Sequence, residues 1–188
     1  PYDADRFEVC NQKWTALAEE ARGFAVLNDC KYGVNVVGNT ISLTLLKSAL
    51  APDMTADKGL QEFTYAFCAW DGPLSAGGVV REAYELNCPM TAAPGSAGER
   101  SLLGLDAPNI VVETVKPAED GSGDVVVRLY ESMRTATACT LATALPVAEA
   151  AESDMLESPR QPLACDGGRI ALSFRPFEIK TLRLRLRD

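Results

Sequence analysis

The stretch that decides the fold runs from Asn109 to Glu131, "NIVVETVKPAEDGSGDVVVRLYE". Two valine-rich runs, 109–116 and 124–131, flank "PAEDGSG", a cluster of turn formers. β-Branched side chains suit a pleated, half-buried surface, while Gly and Asp admit the backbone conformations of a tight reversal. The pattern predicts an antiparallel hairpin.

Working outward, the same signal recurs along the chain. "TISLTLLK" (40–47) alternates Ile41, Leu43 and Leu45, and "EFTYAFC" (62–68) alternates Phe63, Tyr65 and Phe67. "RIALSF" (169–174) and "LRLRL" (182–186) close the chain. The latter sets Leu182, Leu184 and Leu186 on one face of a strand and Arg183 and Arg185 on the other. Helical signals are few. "VVREAYELN" (79–87) follows Gly77-Gly78, is stopped by Pro89, and carries Val79, Val80, Ala83, Tyr84 and Leu86 on one stripe. "KWTALAEEA" (13–21) has room for a turn or two of helix. Short strands separated by turn chemistry, with at most one or two short helices, predict an all-β architecture of the β-sandwich kind. A break is expected at "CPMTAAPGSAGE" (88–99), where Pro, Gly, Ala and Ser replace periodic apolar residues.

Composition narrows the functions open to the chain. At 188 residues, 47% apolar and 23% charged, it is long enough for a real core and ordinary for a globular protein. A net charge of −8 argues against a nucleic-acid partner, which needs clustered cations. The one basic cluster, "KTLRLRLR" (180–187), reads as the wet face of a strand. No apolar run approaches the ~20 residues of a membrane span. The opening "PYDADRFEV" has no basic segment leading into an apolar one, so no signal peptide is expected. The cysteines, at 10, 30, 68, 88, 139 and 165, form no CxxC pair, and the chain has neither histidine nor an Asn-x-Ser/Thr sequon. Reduced thiols and a cytoplasmic location are the expectation, with no metal site.

The chemistry is defined mainly by what is missing. Without histidine there is no Ser-His or Cys-His pair, and neither G-x-S-x-G nor a P-loop occurs. The glycines at 121, 123, 167 and 168 read as turn residues. Asp53 and Asp57 share the loop "PDMTADKG", where they either converge as a carboxylate pair or serve as solvated turn acids. Trp14, Trp70 and Tyr32 offer flat faces for sugar stacking, although packing is the simpler role for the tryptophans. "LNDCKYG" (27–33) is the densest polar cluster. Asn28 and Asp29 favour a turn, and Gly33 suits a position of positive φ. Asp29, Lys31 and Tyr32 also supply the acceptor and donors that sugar hydroxyls need, while Cys30 reads as a packed thiol. From the residues alone, a functional loop and a plain turn remain equally open.

The segments "RFEVCNQKW", "GFAVLNDCKYG", "ISLTLLKS", "PDMTADKGLQEFTYAF", "VREAYELNCPM", "GDVVVRLYE" and "FRPFEIKTLRLRL" together resemble the C-terminal end of glycoside hydrolase family 38 α-mannosidases, in the cytosolic and bacterial branch. The likeness runs in order over essentially the whole chain. It departs from the family at "CAWDGP", where relatives often carry a histidine, and in the Ala/Thr-rich stretch 131–157. The resemblance implies retaining exo-α-mannosidases of several domains. Their N-terminal catalytic domain holds an aspartate nucleophile, an acid/base carboxylate and a zinc bound by His and Asp, and a helical bundle and β-sandwiches follow. This chain would then be residues 1–94 of the end of a galactose-mutarotase-like supersandwich, followed by a small Ig-like sandwich, 95–188. It would carry no cofactor itself, zinc belonging to the catalytic domain of the parent enzyme. Its partners would be the catalytic and helical domains of the same polypeptide and α-mannoside glycans, with no nucleic acid, no membrane, and homo-oligomer formation left open. Asp29, Lys31 and Tyr32, with Asp57 and Lys58 as a second set, are the candidate substrate contacts. The alternative is a non-catalytic carbohydrate-binding module.

Overall fold

The computed structural model describes residues 7–96 and 98–187. The chain folds as two compact units, Pro1–Pro94 and Gly95–Asp188. Both are dominated by antiparallel strands, so the molecule is all-β, with one α-helix among the described residues.

The first unit contains β1 (Val9–Cys10), β2 (Trp14–Ala18), β3 (Arg22–Asn28), β4 (Gly33–Val37), β5 (Thr40–Leu43), β6 (Tyr65–Asp71) and helix α1 (Val79–Asn87). Two three-stranded sheets form, in the orders β1-β4-β5 and β2-β3-β6. The helix occupies the span read from its apolar stripe. It buries Val79, Val80 and Ala83 and packs against β3 and β2. Asn87 fastens its end, donating from Nδ2 to the Asn28 carbonyl at 3.0 Å and to the Ala83 carbonyl at 2.9 Å. The face of β2-β3-β6 beneath α1 is small and dense. The Trp70 ring lies where a Cβ on Gly23 or Gly77 would stand, and its Nε1 donates to the Pro73 carbonyl at 3.0 Å. Trp70 is thus a packing residue.

Three expectations are corrected in this unit. Residues 13–21 are not helical: Trp14–Ala18 pairs with β3 from Trp14↔Leu27 to Ala18↔Gly23, and "EEA" makes the reversal, Glu19 N–H donating to the Arg22 carbonyl at 2.9 Å. Pairing with a neighbouring strand outweighs the weak helical preference of an Ala/Glu-rich segment. β5 stops at Leu43, and Leu45 and Leu46 leave the sheet for exposed positions. In β6 the small residues Ala66 and Cys68 alternate inward with Trp70, whereas Tyr65 and Phe67 point to the exposed side.

The second unit is a sandwich. Its strands are β7 (Leu103–Leu105), β8 (Ile110–Pro117), β9 (Val125–Glu131), β10 (Thr137–Thr143), β11 (Val147–Ser153), β12 (Pro159–Leu163), β13 (Arg169–Phe174) and β14 (Ile179–Leu186). They form sheets ordered β13-β10-β7 and β12-β11-β14-β9-β8. The predicted hairpin is present: β8 and β9 pair from Ile110↔Glu131 to Pro117↔Val125, with a bulge at Val112/Thr114. Gly121 and Gly123 hold φ of 71° and 85° in the reversal, which glycine tolerates without strain. Val127, Leu129, Leu141, Ile170, Leu182 and Leu184 are fully buried between the sheets. Each contributes about 1.5–3 kcal/mol of hydrophobic stabilisation.

The leucine/arginine alternation of β14 is realised. Arg183 and Arg185 stand on the outer face, where each cation meets an acid. Arg183 reaches Asp124 and Asp120, both at 2.6 Å; Arg185 pairs with Glu149; Lys180 pairs with Glu152 at 2.8 Å. The Ser122 hydroxyl and then Arg183 hold the Asp120 carboxyl down at about 2. All six cysteines are unpaired thiols, with Cys139 buried in the sandwich core as a small hydrophobe.

Candidate functional site

The loop joining β3 to β4 is built around Asn28, which is fully buried. Its N–H donates to the Lys13 carbonyl at 2.9 Å, and its Oδ1 accepts the Lys31 N–H at 2.8 Å. A side-chain oxygen thereby closes the turn in place of a backbone carbonyl. Gly33 serves a purpose other than the expected one. Its φ is not positive, and it opens β4 as an ordinary strand residue. A Cβ there would stand 2.6 Å from Oε1 of Glu8, so a larger residue would push that carboxylate aside.

Asp29 turns toward the segment before β6. Its N–H donates to the Thr64 carbonyl at 3.2 Å, and its Oδ2 accepts the Thr64 N–H at 2.9 Å. The Thr64 N–H, aided by the Cys30 thiol, holds the Asp29 carboxyl below its ordinary range, and that carboxylate pushes the Cys30 thiol up. The other oxygen, Oδ1, is buried without a partner in hydrogen-bonding geometry. Cys30 is exposed rather than packed, since its thiol lies over the loop surface, 3.9 Å from the Glu62 carbonyl. Lys31 Nζ sits 4.8 Å from the centroid of Phe63, a cation over a ring face. Tyr32 is half exposed, with its carbonyl accepting from Asn11 N–H at 2.8 Å.

The second loop is organised by its acids. Asp57 Oδ2 accepts the N–H groups of Ser48 at 2.6 Å and Lys47 at 3.1 Å. Asp53 Oδ1 accepts the Thr55 hydroxyl at 2.7 Å and its N–H at 2.8 Å, and these bonds lower its carboxyl. The two acids therefore serve separate turns and make no facing carboxylate pair. Lys58 is exposed, and its N–H donates to the Thr55 carbonyl at 3.0 Å.

A residue unremarked in the sequence joins the two loops. Glu8 accepts the Thr44 hydroxyl on Oε1 and meets Lys47 Nζ on Oε2 at 2.6 Å; Lys47 first, then Thr44, hold its carboxyl below the ordinary range. Thr44 N–H in turn donates to the Gly33 carbonyl at 2.9 Å. The chain of contacts Gly33–Thr44–Glu8–Lys47–Asp57 thus makes one connected patch. Glu8, Lys47 and Phe63 could not be found by pattern, because their partners lie tens of residues away.

Among the described residues no cluster of three His, Cys, Asp or Glu could hold a metal. The patch presents an ammonium, a phenol and a carboxylate, a set suited to hydroxyl-rich ligands rather than to bond cleavage.

Two family models match parts of the chain. The family model described as "Glycosyl hydrolases family 38 C-terminal domain" matches residues 1–55, and "Glycosyl hydrolases family 38 C-terminal beta sandwich domain" matches residues 109–182. Alpha-mannosidase 2C1 of Mus musculus is 42% identical over 195 residues, covering 100% of this chain and 19% of that protein. Alpha-mannosidase G of Dictyostelium discoideum is 36% identical over 192 residues, covering 97% of this chain and 18% of its own length. The crystal structure of an alpha-mannosidase from Enterococcus faecalis V583 superposes with a TM-score of 0.74 at 21% identity, over 95% of this chain and 21% of that one, a likeness of fold. The chain spans about a fifth of the length of the curated relatives it matches. It belongs to glycosyl hydrolase family 38, matching that family's C-terminal domains.

Proposed function

We propose that this chain is the accessory β region of a cytoplasmic, retaining, zinc-dependent exo-α-mannosidase that hydrolyses terminal α-mannosides. It packs on the catalytic and helical domains and helps wall the mannose pocket. The observation that carries the reading is the 42% identity to an alpha-mannosidase over all of this chain. Zinc does not fit the residues present, since the chain has no histidine and its described residues offer no ligand cluster. The metal, the nucleophile and the acid/base group are assigned to the remainder of the polypeptide. The 28–33 loop is the part that reaches toward substrate, with Lys31 and Tyr32 donating to hydroxyls and the Asp29 carboxylate accepting. Asp57 and Lys58 form the second, outer set.

Lys31 gives the cleaner test, because Asp29 also clamps Thr64. Lys31→Ala in the complete enzyme should lower kcat/KM for an aryl α-mannoside ~10-fold or more, the loss of one charged hydrogen bond. Unchanged kinetics in a folded variant would reduce the loop to a turn.

A further inference from the structure

The face of β2-β3-β6 turned away from α1 does not resemble a solvent face. On β3 it carries Arg22, Phe24, Val26 and Asn28; on β6 it carries Tyr65, Phe67, Ala69 and Asp71, with Val26 and Asn28 buried. The charges, Arg22 and Asp71, are confined to one end, opposite each other in the register. Phe67 is 68% exposed, Tyr65 49% and Phe24 39%. Their rings form a continuous strip. Phe24 stacks on Phe67 at 5.7 Å between centroids, Tyr65 meets Phe67 edge-on at 5.9 Å, and Phe63 lies 6.5 Å from Tyr65. Lys31 caps the Phe63 end. The outer face of β14 shows the contrast, since there Arg183 and Arg185 alternate along the strand and each meets an acid.

The chemistry of the strip selects its partner. Sugar rings need amide or carboxylate groups around the aromatic faces, and here Asn28 is buried and already bonded to Lys31 N–H. Anions and nucleic acid need several cations, and this face has only Lys31 at one end and Arg22, already paired with Glu19, at the other. A row of stacked rings without charge matches another apolar protein surface. The chain is about a fifth of its relatives' length, so most of the polypeptide that could supply such a surface lies outside it.

We propose that the Phe24–Phe67–Tyr65–Phe63 strip is the docking face for the remainder of the longer α-mannosidase polypeptide, and that docking brings Lys31 and Asp29 to the margin of that contact. This rests on the accessory-region reading and adds the surface by which the region is held and its loop aimed.

Phe67→Asp, with Phe67→Thr as the milder variant, tests it in the 188-residue chain and in the complete polypeptide. In the chain alone, an exposed ring is removed. Its melting temperature should stay within about 2 °C and its binding of a hydrophobic dye should fall. In the complete polypeptide, limited proteolysis should accelerate about 10-fold and KM for an aryl α-mannoside should rise. Equal proteolysis of wild type and both variants overturns the proposal. So does a dimer of the isolated chain that Phe67→Thr dissociates while the complete polypeptide is unaffected, since the occupant would then be a second copy. If the complete wild-type polypeptide does not turn over the mannoside, the enzymatic reading fails, and the proteolysis comparison still decides the docking face.

Discussion

Glu131 shows how far a single side chain can be committed to architecture. It is fully buried at the end of β9. Its Oε1 accepts from Met133 N–H at 2.7 Å and Asn109 Nδ2 at 2.9 Å, and its Oε2 accepts from Phe177 N–H at 3.0 Å. Burial pushes its carboxyl up, but the hydrogen bonds from Phe177, Asn109 and Met133 together outweigh it and leave the pKa below 4.5. The folded state therefore favours the ionised form. Its contribution is complete above the unfolded carboxylate value and is lost as pH falls through the depressed folded value. Glu131→Gln should cost about 2–3 kcal/mol near neutral pH, because an amide turns donors toward donors. In paired melts from pH 7 downward, the gap between wild type and variant should narrow below pH 4.5; a constant gap would show that the charge is immaterial. None of this is legible in "RLYES", because two of the donors, Asn109 and Phe177, lie 22 and 46 residues away. What lies against Gly33 is likewise hidden in sequence, the Glu8 carboxylate from 25 positions away.

At the scale of elements, periodicity was readable wherever one face met a core. β13, β14, the β8–β9 hairpin and α1 all follow their apolar pattern. Leu182→Ala should destabilise the second unit by about 2–5 kcal/mol, while the same change at half-buried Leu186, four residues along the strand, should cost clearly less. Denaturant melts of the two variants check this, and equal losses would contradict the strand's burial gradient. Pattern misled where both faces carry apolar residues. In β6 the aromatic set and the Ala66–Cys68–Trp70 set alternate equally well, and only α1 decides which is inside. β10 and β11 were hidden for a related reason. Their Ala and Thr residues are too small to mark a hydrophobic rhythm, yet they pair fully with β13 and β14.

For the molecule as a whole, the core of Gly95–Asp188 closes on itself, drawing every member of its buried cluster from β7 through β14 and their connections. Residues 95–188 expressed alone should fold cooperatively, with a single sharp thermal transition by circular dichroism. A broad, non-cooperative melt would show that its core is not self-sufficient. The first unit carries instead the uncharged aromatic strip and the two candidate loops. The sequence by itself determined the all-β class, the hairpin, the helix and the absence of a histidine-based catalytic centre, because alternation and residue chemistry are local properties. Only the tertiary structure decided that Glu8 ties the two loops into one patch, that Asp53 and Asp57 serve separate turns, and that the aromatic face of β6 lies open. Those outcomes depend on which distant segments meet, and a strand's pattern records that it has two faces without recording what covers each.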